Sequence, residues 1–218
     1  MVITVYRADV RPLCDASLFE KYFDMIPEWR KDAVDTLSRE RPRRLSLGAS
    51  VLLAEAIRDF GADPGARVVF GKNGKPLIEG GNDFYFNLSH SGEYAVCAAA
   101  RTPVGCDVEA YSYPDYRIAR RFFTDAENDF VGVIADEEKK RRAFYGVWTR
   151  KEAVLKADGD GFLAGHSAVS LEGESGFIVY KGKTYYVASG AAPEGYALAY
   201  SALTVDEPDV IYKDILLG

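Results

Sequence analysis

Apolar positions change period several times along this chain, and the changes predict its elements. Val2 to Tyr6 is a short apolar run that predicts a first strand. Ser17 to Met25 and Pro27 to Leu37 predict two short helices, the second opened by proline at its first position. Between Arg39 and Phe60 the apolar residues Leu45, Val51, Leu52, Leu53 and Ile57 predict a longer helix, with Gly61 as its C-terminal stop. Arg67 to Phe70 reads as a strand. The following Gly71-Lys72-Asn73-Gly74-Lys75-Pro76 holds an Asn-Gly pair suited to a tight turn, so a hairpin is expected. Phe84 to Leu88 and Tyr94 to Ala100 predict two more strands, with Ser89-His90-Ser91-Gly92 as a polar turn between them.

From Pro103 to Tyr111 the period is two: Val104, Cys106, Val108 and Ala110 share one face, and Gly105, Asp107, Glu109 and Tyr111 the other. Asp115 to Arg121 predicts a helix, and Thr124-Asp125-Ala126-Glu127 reads as a capping box opening another. A long helix is expected over Asp136 to Ala157, stopped near Gly159. A flexible loop, Asp158-Gly159-Asp160-Gly161, follows it. Strands are then predicted at Ser167 to Leu171, Phe177 to Tyr180, Thr184 to Ala188 and Tyr196 to Leu203. Their alternation suggests an antiparallel sheet, with Asp206 to Gly218 a short strand or tail. The class is α+β. No repeat or low-complexity linker divides the chain; the best boundary is Arg101-Thr102-Pro103, giving parts 1–103 and 104–218, with 204–218 as the tail.

A length of 218 residues suffices for one large or two small cores. The net charge of -6 argues against a nucleic-acid or membrane-surface binder, while leaving room for a local basic pocket. Cys14, Cys97 and Cys106 form no C-x-x-C pair, and His90 and His166 are too few and too scattered for a zinc site. A reducing, cytoplasmic setting is expected. The first residues carry charge unlike a signal peptide, and no apolar run reaches the roughly 20 residues of a membrane helix.

Two stretches carry candidate chemistry. Asp107 and Glu109 project side by side from an otherwise apolar strand, where acids are disfavoured and like charges repel. Either this is an edge strand with a wet acidic face, or a hard divalent cation such as Mg²⁺ joins the two. In the long helix Tyr145, Trp148, Glu152 and Leu155 share a face, and Lys156 lies one turn beyond Glu152. A surface pair four residues apart would explain Glu152 and Lys156 cheaply. A carboxylate set among aromatic rings instead costs several kcal/mol unless compensated. Arg39, Arg41, Arg43 and Arg44 crowd a helix start, where positive charge opposes the dipole, so they are either a solvated face or an anion site. Ser89 and His90 lack the G-x-S-x-G setting of a hydrolase and, as neighbours on an extended chain, point apart.

Taken in order, Gly74-Lys75-Pro76, Phe86 to Ser91, Val104 to Glu109, Phe123 to Glu127, and Trp148 to Ala153 with Lys156 resemble the motifs of the 4′-phosphopantetheinyl transferases. The length resembles the larger, monomeric type that activates nonribosomal peptide and polyketide synthases. The resemblance implies two similar α+β halves in pseudo-twofold arrangement, with the active site in the cleft between them. It implies transfer of phosphopantetheine from coenzyme A to a serine of an apo acyl or peptidyl carrier protein, releasing adenosine 3′,5′-bisphosphate. It also implies Mg²⁺, or Mn²⁺ in its place, held by Asp107, Glu109 and Glu152. Glu152 is metal ligand, base or both. The resemblance implies that Lys151 and Lys156 stabilise the diphosphate; His90 and Arg44 match positions that bind the 3′-phosphate or the diphosphate, with Lys75 and Ser89 nearby as further coenzyme A contacts. Glu127 matches an additional acid, which the capping box also explains. Roles for Trp29, Arg30 and Lys31 stay open. Arg117, Arg120 and Arg121 beside Phe122 and Phe123 are candidates for the acidic carrier's surface. The competing expectations are a non-catalytic relative that binds coenzyme A or a carrier, and a metal-dependent phosphodiesterase.

Overall fold

The structure is a computed structural model that describes residues 1–71, 73–80, 83–159, 166–171 and 173–218. Strand β1 (Val2–Asp9) is buried on both faces. Ile3 and Val5 turn one way, and Tyr6 and Ala8 turn the other, into a separate core. Helices α1 (Ala16–Met25) and α2 (Glu28–Asp35) follow; Asp15 caps α1, and Pro27 stands at the N-cap of α2, one residue before the position expected of it. Helix α3 (Glu40–Phe60) ends on Gly61 in the left-handed conformation, as its sequence predicts. A small hairpin, β2 (Val68–Phe70) with β3 (Pro76–Ile78), comes next.

Strands β4 (Tyr85–Ser91) and β5 (Tyr94–Ala100) join β1 in the first sheet. Here the structure corrects the sequence reading: Ser89, His90 and Ser91 belong to β4 itself, and the turn sits at Gly92 and Glu93. The second half contains β6 (Val104–Ala110), α4 (Tyr116–Phe122), α5 (Asp125–Gly132), α6 (Glu137–Asp158), β7 (Ser175–Tyr180), β8 (Lys183–Ser189) and β9 (Tyr196–Leu203). The stretch expected as a strand near Ser167 is instead a 3-10 turn over His166–Ala168. Lys72, and Asp160-Gly161 of the expected loop, lie outside the described residues.

The two halves share a plan. In the first sheet the order is β1-β5-β4, in the second β6-β9-β8-β7. Each places the half's first strand beside its last, and its last beside the one before, all antiparallel. Each also interposes one long helix, α3 of 21 residues or α6 of 22. The final strand β10 (Asp209–Asp214) leaves this plan, pairing parallel with β1 in the first sheet; the expected tail is thus a sheet strand of the opposite half.

One core faces α3 and includes Tyr6, Leu52, Phe86 and Cys97. A second is shared between the sheets, where Ile3, Val5, Val96 and Ala98 meet Val104, Cys106, Val108, Leu198 and Tyr200. The apolar face read from Val104, Cys106 and Val108 is therefore the inter-sheet face, and its opposite turns toward α6. Among the described residues no helix is long and apolar enough to cross a membrane.

Candidate active site

The halves are joined edge to edge by side chains. Edge strand β6 would leave amides unpaired, a state buried backbone rarely tolerates. Strand β4 supplies the partners from alternate positions: Asn87 Oδ1 accepts from Cys106 N at 3.0 Å, Ser89 Oγ from Val108 N at 3.3 Å, and Ser91 Oγ from Ala110 N at 3.1 Å. The same two hydroxyls donate to the strand's acids, Ser89 to Asp107 Oδ1 at 2.8 Å and Ser91 to Glu109 Oε2 at 2.7 Å. Phe86 and Leu88, at the intervening positions, pack toward α3.

On the other side α6 lies against β6 so closely that only glycine fits at 105. A Cβ there would stand 2.1 Å from Ala153 O and 2.5 Å from Ala157 N. Gly105→Ala should force the helix away from the strand and lower stability by about 1–3 kcal/mol. It should cut turnover as well, because the same contact positions the acids; denaturant melts and steady-state rates check both.

At that contact Asp107, 3% exposed, receives the Lys156 ammonium at 2.6 Å, and Lys156 also reaches Ser89 Oγ at 3.2 Å. Glu152, 6% exposed, lies within electrostatic reach of Asp107, Glu109 and Lys156. Burial pushes the Asp107 carboxyl above the usual range, with Lys156 pulling back and Glu152 adding to the rise. For Lys156 burial acts downward, but Asp107 first, then Cys106 and Glu152, together outweigh it, and the ammonium is stabilised.

Burial, and next the charge of Asp107, push Glu109 up to about 6, against the lowering pull of Ser91. The folded chain therefore holds this proton to higher pH than the unfolded one. Between the ordinary 4.5 and about 6, the contribution of Glu109 to the stability of the metal-free protein is lost as pH rises. Melts in chelator should show Glu109→Gln gaining on the parent through that window and holding a constant lead above it. A pH-independent difference would contradict the arrangement.

Among the described residues no three His, Cys, Asp or Glu side chains already close on one point as a metal cage. The donor set nonetheless fits a hard cation. Asp107 Oδ2 is buried without a hydrogen-bond partner among the described residues, and the charges of Asp107, Glu109 and Glu152 repel one another there.

The other expected site residues divide. Ser89 is part of the cluster; the next residue on β4, His90, is exposed and feels the charges of Lys156 and Arg30. Arg30, whose role the sequence left open, donates to Ser50 Oγ at 2.8 Å and stacks over Trp29. Its half-buried guanidinium is a cation near His90 that the sequence alone did not single out. Lys151 is a correction: its side chain is 0% exposed, bonded to Glu127 Oε2 at 2.6 Å and to Val169 O, so it faces the interior rather than a ligand. Arg44 is also committed elsewhere. It is mostly buried, contacts Cys14, and stands 3.6 Å from Glu40 and 3.8 Å from Glu93. Lys75 spends its ammonium on backbone carbonyls. Glu127 closes the expected capping box with Thr124. A cavity of about 720 Å³ takes Arg142, Gly146 and Arg150 from α6, a different face from that of Glu152 and Lys156.

Comparison with known proteins bears on this cluster. The family described as the 4′-phosphopantetheinyl transferase superfamily matches residues 103–200, the span that carries Asp107, Glu109, Glu152 and Lys156. The 4′-phosphopantetheinyl transferase Sfp of Bacillus subtilis (strain 168) is 29% identical over 213 residues, covering 90% of this chain and 92% of that protein. The likeness to the 4′-phosphopantetheinyl transferases is thus confined to residues 103–200 in the family match and runs nearly the full length in Sfp. The superfamily relative psf-1 of Bacillus pumilus is 38% identical over 129 residues, 58% of this chain and 54% of its own. The relative gsp of Aneurinibacillus migulanus is 39% identical over 101 residues, 45% and 41%. The chain thus spans about half the length of psf-1 and gsp, and nearly all of Sfp. Its likeness to the superfamily is strongest in the half that holds β6 and α6.

Proposed function

We propose that the protein transfers 4′-phosphopantetheine from coenzyme A to the serine hydroxyl of an apo acyl or peptidyl carrier protein. The observation that carries this is the cluster at the β6–α6 contact, where Asp107 pairs with the Lys156 ammonium at 2.6 Å and Glu109 and Glu152 lie within electrostatic reach of both. In the reaction the serine oxygen forms a bond to the β-phosphorus of coenzyme A. The bond from that phosphorus to the bridging oxygen breaks, and adenosine 3′,5′-bisphosphate leaves with the electron pair.

Such a transfer needs little covalent help; it needs alignment and neutralised charge. Asp107, Glu109 and Glu152 would hold Mg²⁺, or Mn²⁺ in its place, which when bound supplies Lewis-acid polarisation of the diphosphate. Lys156 contributes its own fixed positive charge at the diphosphate, held by Asp107 and Ser89. Glu152 would take the serine proton, directly or through water. Arg30 would serve as a cation for the phosphates beside β4, and His90, whose pKa burial and then the charges of Lys156 and Arg30 lower, as a neutral hydrogen-bond donor to them. Glu127 and Lys151 neutralise each other in the interior and hold α5 to α6.

The carrier would meet α4, where Arg117, Arg120 and Arg121 are exposed, although Asp115 already holds Arg117 at 2.7 Å. Phe123 is buried there, and Phe122 lies under Arg121, so the arginines rather than the rings offer the surface. Reversing the charge of all three should raise the carrier's KM several-fold and leave that of coenzyme A unchanged; an unchanged carrier KM would remove α4 from the interface.

The direct test is intact mass of an apo carrier after incubation with the protein, coenzyme A and Mg²⁺. The expected result is one added phosphopantetheine and an equal amount of adenosine 3′,5′-bisphosphate. Bisphosphate released without carrier modification would point to a phosphodiesterase. Binding of coenzyme A with neither product would point to a non-catalytic relative.

A further inference from the structure

The hairpin β2–β3 lies far in sequence from the acids, yet its Lys75 ends at the junction of the two elements that carry them. Its ammonium donates to Val104 O at 3.0 Å, Lys156 O at 2.6 Å and Ala157 O at 3.1 Å. The first of these carbonyls opens β6, three residues before Asp107. The other two close α6, and one of them belongs to Lys156 itself. The last carbonyls of a helix have no partner within it and form the negative end of its dipole, so a buried cation there satisfies both needs. Asn73 Nδ2 adds a bond to Gly159 O at 2.8 Å, docking the same turn on the same helix end. Directly beside this junction, Gly105 lets the α6 backbone approach β6.

We propose that Lys75 is a positioning residue, a three-way clamp that fixes the end of α6 against the start of β6 and so sets the Lys156–Asp107 pair. It acts through the backbone and does not touch coenzyme A. The inference rests on the transferase reading above, since the geometry it fixes is that of the proposed site. Burial lowers the Lys75 ammonium to about 8, with the negative sides of Cys106 and Asp158 opposing, which fits a cation held by carbonyls rather than by a carboxylate or solvent.

The alternative for this residue is a direct contact to a phosphate of coenzyme A, and kinetics with binding separate the two. Lys75→Met keeps the length of the side chain and removes the donor; Lys75→Gln keeps two neutral donors. Displacing a reacting group by about 1 Å costs on the order of 100-fold. Lys75→Met should therefore lose roughly ten- to a hundred-fold in kcat. Its calorimetric Kd for coenzyme A should stay within about two-fold of the parent, since no phosphate contact is lost. Lys75→Gln should recover part of kcat. A Kd raised ten-fold or more in both variants with kcat retained would make Lys75 a phosphate ligand and overturn the proposal. So would kcat unchanged in both. If Lys75→Met does not fold, Lys75→Gln decides by the same two readouts. A parent protein that modifies no carrier would instead refute the transferase reading, a result visible before any variant is made.

Discussion

Replacing Asp107 by Asn should leave a folded protein that transfers phosphopantetheine roughly a thousand times more slowly or worse. Asn preserves shape and can still meet Ser89, but it removes the negative charge that pairs with Lys156 at 2.6 Å and the buried oxygen left for a cation. Its effect on the stability of the metal-free protein should be small, because two contributions oppose. Burial pushes this carboxyl upward, so its ionised form burdens the folded state near neutral pH, but its removal takes from Lys156 the partner that stabilises the ammonium, leaving Ser89 and the charge of Glu152. The expected pattern is lost turnover with a Tm close to that of the parent. Retained turnover in the variant, or a collapse in Tm, would each contradict the assignment of Asp107 to chemistry.

Glu127 should behave in the opposite way. Its carboxylate accepts from the Lys151 ammonium, from Thr124 N at 2.8 Å and from Leu171 N at 3.0 Å. Truncation to Ala leaves the fully buried Lys151 ammonium with Val169 O as its remaining hydrogen-bond partner among the described residues and strips the α5 cap. Breaking a buried pair from one side costs about 3–5 kcal/mol, which for a chain of this size lowers Tm by about 10 °C. Lys151→Met in the Glu127→Gln background should recover much of that loss, because no unpaired buried charge remains. Turnover per folded molecule, measured well below the melt, should stay within a few-fold. Abolished turnover at an unchanged Tm would move Glu127 from the scaffold to the reaction.

The contrast between these two acids shows how much was legible in the chain. Asp107 and Glu109 stood out because a strand with period two has no structural use for two carboxylates on one face, and that face does turn to α6. Glu152 and Lys156 were legible from helical spacing, and Glu127 from the capping box, since both signals are local. What failed was everything set by partners distant in sequence. Lys151 neighbours Glu152 yet points to the interior, because one step along a helix turns a side chain by about 100°. Lys75 and Arg44 matched phosphate-binding positions, but carbonyls of α6 and the acids Glu40 and Glu93 claim their charges. The polar run Ser89-His90-Ser91 read as a turn because an exposed hairpin was the simplest home for it. Its signal was the recurrence of Asn87, Ser89 and Ser91 at every second residue, the period of a strand that pairs through its side chains. Likewise nothing within Asp209–Asp214 announced that it would return to β1.

The account turns on Asp107, Glu109 and Glu152 acting as one divalent-ion site beside the diphosphate of coenzyme A. Electron paramagnetic resonance of Mn²⁺ titrated into the protein with coenzyme A measures this directly. The prediction is one bound equivalent, magnetically coupled to phosphorus, in the parent, with the bound signal lost in Asp107→Asn. Mn²⁺ that stays free, or that binds Asp107→Asn as tightly and with the same phosphorus coupling, would contradict it.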